Sequence, residues 1–428
     1  MAVTSNDRAS NPAGLRASRD SDPAGLRPSR DSDPAGLRPS SRTVARLRPF
    51  ASTIFAEMTA LAATHDAVNL GQGFPDTDGP ARMLEVAREA IASGLNQYPP
   101  GPGMPVLREA IARDRAGRYG TEYDPDSEIL VTVGATEALS AAMLGLVESG
   151  DEVLLVEPYY DSYAAAVALA GAQRRTVPLV VDGDRFALDV DALRSAVGPR
   201  TRMIVVNSPH NPTGTVFTAS ELAAIAEVAC EHDLLVLTDE VYERLLFDDA
   251  VHTPIATLPG MAERTITVSS AAKTFNATGW KTGWACGPAP LIAAVKAAKQ
   301  FMTFVGGAPF QPAVAHALDH ESAWVDALRT GLQAKRDTLS AALAHAGLDV
   351  KRSEGTYFVC ADIAPLGESD ADSFCRALPE RIGVVAVPVD AFVDHREGWD
   401  TLVRFAFCKQ DHVLADAASR LARLSATP

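Results

Sequence analysis

The sequence predicts an α/β fold: a large domain built on a mostly parallel central sheet, with a smaller α+β domain after it. Three observations carry this. Short, continuous apolar runs of buried-strand length recur from residue 128 to residue 270. Helix-length segments separate several of them. Polar residues or glycine stand at the carboxyl ends of these runs, where ligands bind in open α/β sheets.

In chain order, Glu128–Val133 reads as a buried strand and Thr136–Val147 as the helix that follows it. Strands are then expected at Glu152–Val156, Met203–Val206, Leu234–Thr238 and Thr265–Ser269, with a helix at Ala219–Glu231. Gly134, Asn207, Asp239 and the pair Ser269-Ser270 close four of the runs and so define one rim. Ala323–Ala346 reads as a long helix, and Thr356–Cys360 and Thr401–Phe407 as strands of the smaller domain. The expected division is a tail at 1–42, a segment at 43–75 packing on the small domain, the large domain at 76–322 and the small domain at 323–428. The tail repeats Asn11-Pro-Ala-Gly-Leu-Arg with a period of eleven residues. Each copy carries Pro and Gly and a single large apolar residue, so a disordered extension is expected there.

Composition narrows the function. The net charge of -15 argues against a nucleic-acid surface. No apolar run is long enough to span a bilayer, and no signal peptide is visible. The five scattered cysteines contain no CxxC pair, which argues for a cytoplasmic protein and against zinc; no metal is expected.

The chemistry concentrates in Val268-Ser-Ser-Ala-Ala-Lys-Thr-Phe-Asn-Ala-Thr-Gly-Trp-Lys-Thr-Gly-Trp284. Lys273 follows an apolar strand and two serines, and Lys281 follows eight residues later. That pattern suits an aldehyde cofactor carrying a phosphate, and makes pyridoxal phosphate the first hypothesis. One amine forms the Schiff base, while hydroxyls and a second cation hold the phosphate. Gly134-Ala-Thr-Glu137 offers the amides of Ala135 and Thr136 to an anion, or is an ordinary turn with Thr136 as a cap. In Asn207-Ser-Pro-His-Asn-Pro-Thr-Gly214, a rigid turn fixes Asn211 as a donor to a phenolate oxygen. Asp239-Glu-Val-Tyr242 places a carboxylate at the end of a buried strand, where it needs a partner such as a pyridinium nitrogen. The alternative is a helix cap. Tyr242 is a second donor to the ring oxygen. Tyr159-Tyr160 offers an aromatic ring to stack on the cofactor, or a core aromatic. Arg404, mid-strand, suits a substrate carboxylate held by two parallel hydrogen bonds, or is an edge-strand surface arginine.

Taken together, these residues resemble the fold-type I pyridoxal-phosphate aminotransferases from Thr43 to the end, in the family's order. The resemblance implies that Lys273 is the Schiff-base lysine and Asp239 the partner of the pyridine nitrogen. It gives the ring oxygen to Asn211 and Tyr242. The phosphate goes to Ser270, Lys281 and the amides of Ala135 and Thr136. Tyr160 is the stacking ring and Arg404 the carboxylate clamp. Lys281 stands where many relatives have arginine. Amino-acid and 2-oxo-acid substrates are implied, as is a homodimer with shared active sites, in which Tyr98 reaches the phosphate of the other subunit. Asn69-Leu-Gly-Gln-Gly-Phe-Pro-Asp76, Asn96-Gln-Tyr-Pro-Pro-Gly-Pro-Gly103 and Val305-Gly-Gly-Ala-Pro-Phe-Gln311 look like the succinyldiaminopimelate aminotransferase subgroup, with kynurenine, glutamine and methionine aminotransferases as its relatives. There, Gly73 presents its amide to the substrate carboxylate. A cysteine-conjugate β-lyase on the same scaffold is the alternative chemistry.

Overall fold

The computed structural model describes residues 43–424, so the repeat tail at 1–42 lies outside the described residues. The strands in chain order are β1 (Val68–Asn69), β2 (Ile129–Val133), β3 (Glu152–Glu157), β4 (Gln173–Asp182), β5 (Arg185–Leu188), β6 (Thr201–Asn207) and β7 (Leu235–Asp239). They continue with β8 (Thr265–Ser270), β9 (Thr282–Cys286), β10 (Asp349–Val350), β11 (Phe358–Asp362), β12 (Val384–Val385), β13 (Val387–Pro388) and β14 (Leu402–Ala406). Eight of them form one sheet in the order β2-β9-β8-β7-β6-β3-β4-β5. The run β8-β7-β6-β3-β4 is parallel, whereas β9 pairs antiparallel with both its neighbours and β5 antiparallel with β4. This is the mostly parallel α/β sheet that the sequence predicts.

Both faces of the sheet are covered, which explains the unbroken apolar strands. Successive residues of a strand point to opposite faces. Val153 and Leu155 pack with Met203, Val205 and Leu237 beneath the helices Gly134–Leu146 and Asp161–Ala170. Leu154 and Val156 pack with Ile204, Val206 and Val236 beneath the helix Ala219–Glu231. Each fully buried leucine here contributes about 1.5–3 kcal/mol. The Ala219–Glu231 helix starts where the sequence places it because Thr218 and Glu221 form a capping box.

A four-stranded antiparallel sheet, β10-β11-β14-β13, lies beyond the long helix Ser322–His345. In it, Arg404 sits between Cys360 on one side and Val387 on the other. β14 is therefore an interior strand, and Arg404 is not a surface arginine. Thr53 caps the helix Ile54–His65, whose Met58 and Ala62 share a core with Leu70, Val384 and Phe405. β1 pairs in parallel with β12.

Some boundaries differ from the sequence reading. Helices Ala81–Ala92 and Pro105–Tyr119 precede the first long strand. The helix after β2 begins at Gly134, so Thr136 lies inside its first turn and is not its cap. β11 begins at Phe358, because Thr356 adopts a left-handed φ of 69° that no strand continues through.

Candidate active site

The ends of β2, β6, β7 and β8 converge on one cavity of about 350 Å³. Gly134, Asn207, Asp239 and Ser270 all line it, so the rim predicted from four strand ends is one place in space. Rows of interstrand hydrogen bonds hold the ends in register, with Asn207 beside Asp239 in the β6–β7 pair. The Asn207 side chain also donates to the Asp239 carbonyl oxygen at 2.8 Å.

Asp239 is buried and forms no ion pair among the described residues, although the Lys273 charge acts on it from a distance. Its carboxylate accepts from the Tyr163 hydroxyl at 2.7 Å and from the Val241 amide at 3.3 Å. Burial lifts its pKa to about 6 in spite of those donors. A charge left at this depth is costly until a cation joins it.

Lys273 lies in the short helix Ala271–Thr274, directly after β8. Its Nζ donates to the Tyr357 hydroxyl at 2.8 Å and sits 5.7 Å from the Tyr242 ring centroid. Burial lowers this amine to about 8. Tyr242 is buried beside it, edge-on to Tyr357, and burial raises its phenol pKa so that it stays protonated. Asn211 also lines the cavity, in a turn where the Ser208-Pro209 and Asn211-Pro212 peptides are both cis.

Two ends of the cavity suit anions. At one, Gly134 has a φ of 74°, and a Cβ there would lie 3.1 Å from Lys281 Nζ. Glycine thus permits both the turn and the close approach of the lysine. The helix starting at Gly134 has no side-chain cap, so its first amides, those of Ala135 and Thr136 included, are available to a ligand. Ser270 and Lys281 line the same cavity. At the other end, the Arg404 guanidinium is 1% exposed and meets no acid among the described residues. It donates to Asn211 Oδ1 at 2.9 Å and to the Gly71 carbonyl at 3.0 Å, and lies 4.0 Å from the Phe358 ring centroid. Its Nε is buried without a partner.

Tyr160 lines the cavity, whereas Tyr159 turns away and donates to Asp394 at 2.8 Å. Gly73 also lines it, and a Cβ on Gly73 would come within 2.2 Å of the Phe358 ring. Tyr98 is not part of this cavity. It is 82% exposed, against Phe304, in a separate depression lined by Asn96–Pro99 and Val305–Pro309. Sequence reasoning missed Tyr163, Tyr357, Phe55 and Gln72. Only packing brings them in, and no spacing marks them. Behind the rim, Arg115 pairs with Glu240 at 3.0 Å and with Glu243 at 2.7 Å, all three buried. Glu240, Glu243 and His252 group their ligand atoms as a metal site does, but the guanidinium already supplies the positive charge.

The architecture and this cavity place the chain in a known class. The family model for aminotransferase class I and II matches residues 65–421, and the chain belongs to that family. It is an aminotransferase, of a family that uses pyridoxal phosphate. Among its relatives, a probable N-succinyldiaminopimelate aminotransferase of Mycobacterium tuberculosis is 62% identical over 394 residues, spanning 90% of this chain and 99% of the relative. The solved structure of the N-succinyldiaminopimelate aminotransferase from Mycobacterium tuberculosis superposes with a TM-score of 0.88 at 64% identity, over 89% of this chain and 100% of that one. The methionine aminotransferase of Escherichia coli is 39% identical over 384 residues, 89% of this chain and 98% of the relative. The mouse kynurenine–oxoglutarate transaminase 3 is 38% identical over 409 residues, 89% of this chain and 90% of the relative.

Proposed function

We propose that the chain transfers the amino group of N-succinyl-LL-2,6-diaminopimelate to 2-oxoglutarate by ping-pong chemistry, with pyridoxal phosphate as its cofactor. The observation that carries the chemistry is a buried carboxylate without an ion pair, Asp239, lining the same cavity as a half-buried amine, Lys273. The choice of substrate rests on the 62% identity with a probable N-succinyldiaminopimelate aminotransferase.

The donor set fits the cofactor. Asp239 would hold a pyridinium N–H, which satisfies its unpaired charge. Asn211 and Tyr242 would donate to the ring oxygen, and Tyr160 would lie against the ring. Ser270, Lys281 and the amides of Ala135 and Thr136 would hold the phosphate. When bound, the cofactor supplies an imine-forming aldehyde and a ring that takes up electrons from the substrate carbon. Lys273, freed by the incoming amine, would take the proton from the substrate Cα and return it, across the nitrogen, to the carbon that carried the cofactor's aldehyde. An amine titrating near 8 is suited to both transfers. Arg404 and the Gly73 amide would orient the substrate carboxylate, and the acid-free guanidinium gives that anion its partner.

Tyr98 and Phe304 are exposed in contact with each other, and Phe301 is exposed three residues before Phe304. A second copy of the chain would cover them and bring its own Tyr98 to this phosphate seat, giving a homodimer with shared sites. The division at 43–75, 76–322 and 323–428 belongs to the same reading. No described helix is long and apolar enough to cross a membrane, and the five unpaired cysteines suit a reducing cytoplasm.

Lys273→Ala is expected to lose the borohydride-reducible yellow chromophore and all turnover; retained turnover refutes the assignment. A transamination panel with 2-oxoglutarate as acceptor, comparing succinyldiaminopimelate, kynurenine, methionine, glutamine and aspartate, tests the substrate. Phe55, Phe74 and Phe358 give the cavity an apolar wall, which favours a methionine- or kynurenine-type donor as the second reading. If the panel ignores the succinylated donor, the second reading replaces the first.

A further inference from the structure

The Lys273 amine is one end of a hydrogen-bond chain. It donates to the Tyr357 hydroxyl at 2.8 Å, and that hydroxyl donates to the Gly73 carbonyl oxygen. The direction follows from the hydrogens available. A phenol has one proton and a carbonyl oxygen can only accept, so Tyr357 gives its proton to Gly73 and meets the amine with a lone pair. Burial raises the Tyr357 pKa well above that of a free phenol, so the hydroxyl keeps its proton and is not a base.

Both ends of the tyrosine are closely packed. Tyr357 is 1% exposed, and its ring is set by Tyr242 at 5.2 Å and Phe358 at 4.8 Å between centroids. On the side of residue 73 where a Cβ would stand there is no space, since that atom would meet the Tyr357 ring at 2.8 Å. The same strip of backbone accepts from Arg404 at Gly71. Amine and guanidinium are thus tied to one short segment, through Tyr357 at one end and directly at the other.

We infer that Tyr357 is the positioning residue for Lys273: its hydroxyl holds one N–H of the amine and fixes its aim relative to the Gly71–Gly73 strip that serves the substrate carboxylate. The inference rests on Lys273 being the reacting amine. Nothing in residues 356–358 read as sequence marks the tyrosine apart from an ordinary strand aromatic.

The test uses the cofactor-free full-length protein. Lys273 is acylated by a small amine reagent across a pH series, and the extent is read at its own peptide by mass spectrometry. A hydroxyl acceptor favours ammonium over amine, so Tyr357→Phe, which keeps the ring and removes the oxygen, should lower the midpoint of Lys273 by about 0.5–1 pH unit. A packing role alone would leave the midpoint in place or, by admitting water to an amine that burial holds down, move it up. In the loaded enzyme the same variant should lower kcat with little change in KM for the amino donor. A second variant, with 3,5-difluorotyrosine at 357, keeps the hydroxyl and weakens its lone pairs. It should move the midpoint the same way by less, and it answers the question if the phenylalanine variant does not fold. Wild-type or raised midpoints in the variants that fold overturn the inference. That result leaves the aminotransferase reading intact, because the latter fails only if Lys273→Ala still turns over.

Discussion

Arg404→Lys tests whether the buried guanidinium clamps the end of the substrate that all amino acids share. Lysine keeps the charge but not the planar fork. In the wild type the guanidinium is fixed by Asn211 Oδ1 at 2.9 Å, by the Gly71 carbonyl at 3.0 Å and by the Phe358 face. No acid forms an ion pair with it among the described residues, and Nε has no partner. A substrate carboxylate thus gains a pair of charge-assisted hydrogen bonds, of which an ammonium tethered to the same fixtures keeps one. One such bond is worth about 1.5–3 kcal/mol. At about 1.4 kcal/mol per factor of ten, kcat/KM should fall roughly 10- to 150-fold. The assay is steady-state kcat/KM for several amino donors with 2-oxoglutarate held saturating. Because the α-carboxylate is common, every donor should lose a similar factor. A loss below about threefold, or one confined to a single donor, refutes the clamp.

Three more outcomes follow from the site. Asp239 has its pKa raised from 3.8 to about 6, so its contribution to apoprotein stability is full below 3.8 and is lost as pH rises through 6. Asp239→Asn should therefore make the apoprotein more stable than wild type at pH 8, by up to about 3 kcal/mol, with the difference gone by pH 4; urea midpoints across that range decide it. Gly73→Ala forces a methyl into the Phe358 and Tyr357 rings and should cost about 1–3 kcal/mol of stability while raising KM for every amino donor. An unchanged urea midpoint in that variant would show that the strip yields. Arg115→Met leaves Glu240 and Glu243 buried without their cation and should cost about 3–5 kcal/mol; a loss under about 1 kcal/mol in chemical denaturation would contradict the buried network.

The rim of the site was legible because local chemistry and topology agree there. A polar residue closing an apolar run has few places to be other than the end of a buried strand. Gly134, Asn207, Asp239 and Ser270 are such residues, and they meet in one cavity. Lys273, Lys281 and Asn211 were legible through their fixed spacing from those ends. The long helix at Ser322–His345 and the helix at Ala219–Glu231 were read to within a residue or two; the second has a local start signal in its capping box, whereas the first has no side-chain cap and was legible from its length alone. Elsewhere local signals pointed the wrong way. Thr136 looks like a cap but lies within a helix that starts at a left-handed glycine, and Thr356 looks like a strand residue but turns the chain.

By itself, the sequence determined the parallel sheet, the order of its chemistry-bearing ends and the residue types at the rim. Those follow from periodicities of a few residues and from what a strand end can hold. Tertiary structure alone decided which distant groups complete the site. Tyr163 reaches Asp239 across 76 positions of chain, Tyr357 reaches Lys273 across 84, and Arg404 reaches Asn211 across 193. It also decided that Arg404 is interior rather than exposed, because strand order in the small sheet is a matter of pairing, not of pattern. Hydrogen bonds and burial act over ångströms in space, and sequence distance does not encode that separation.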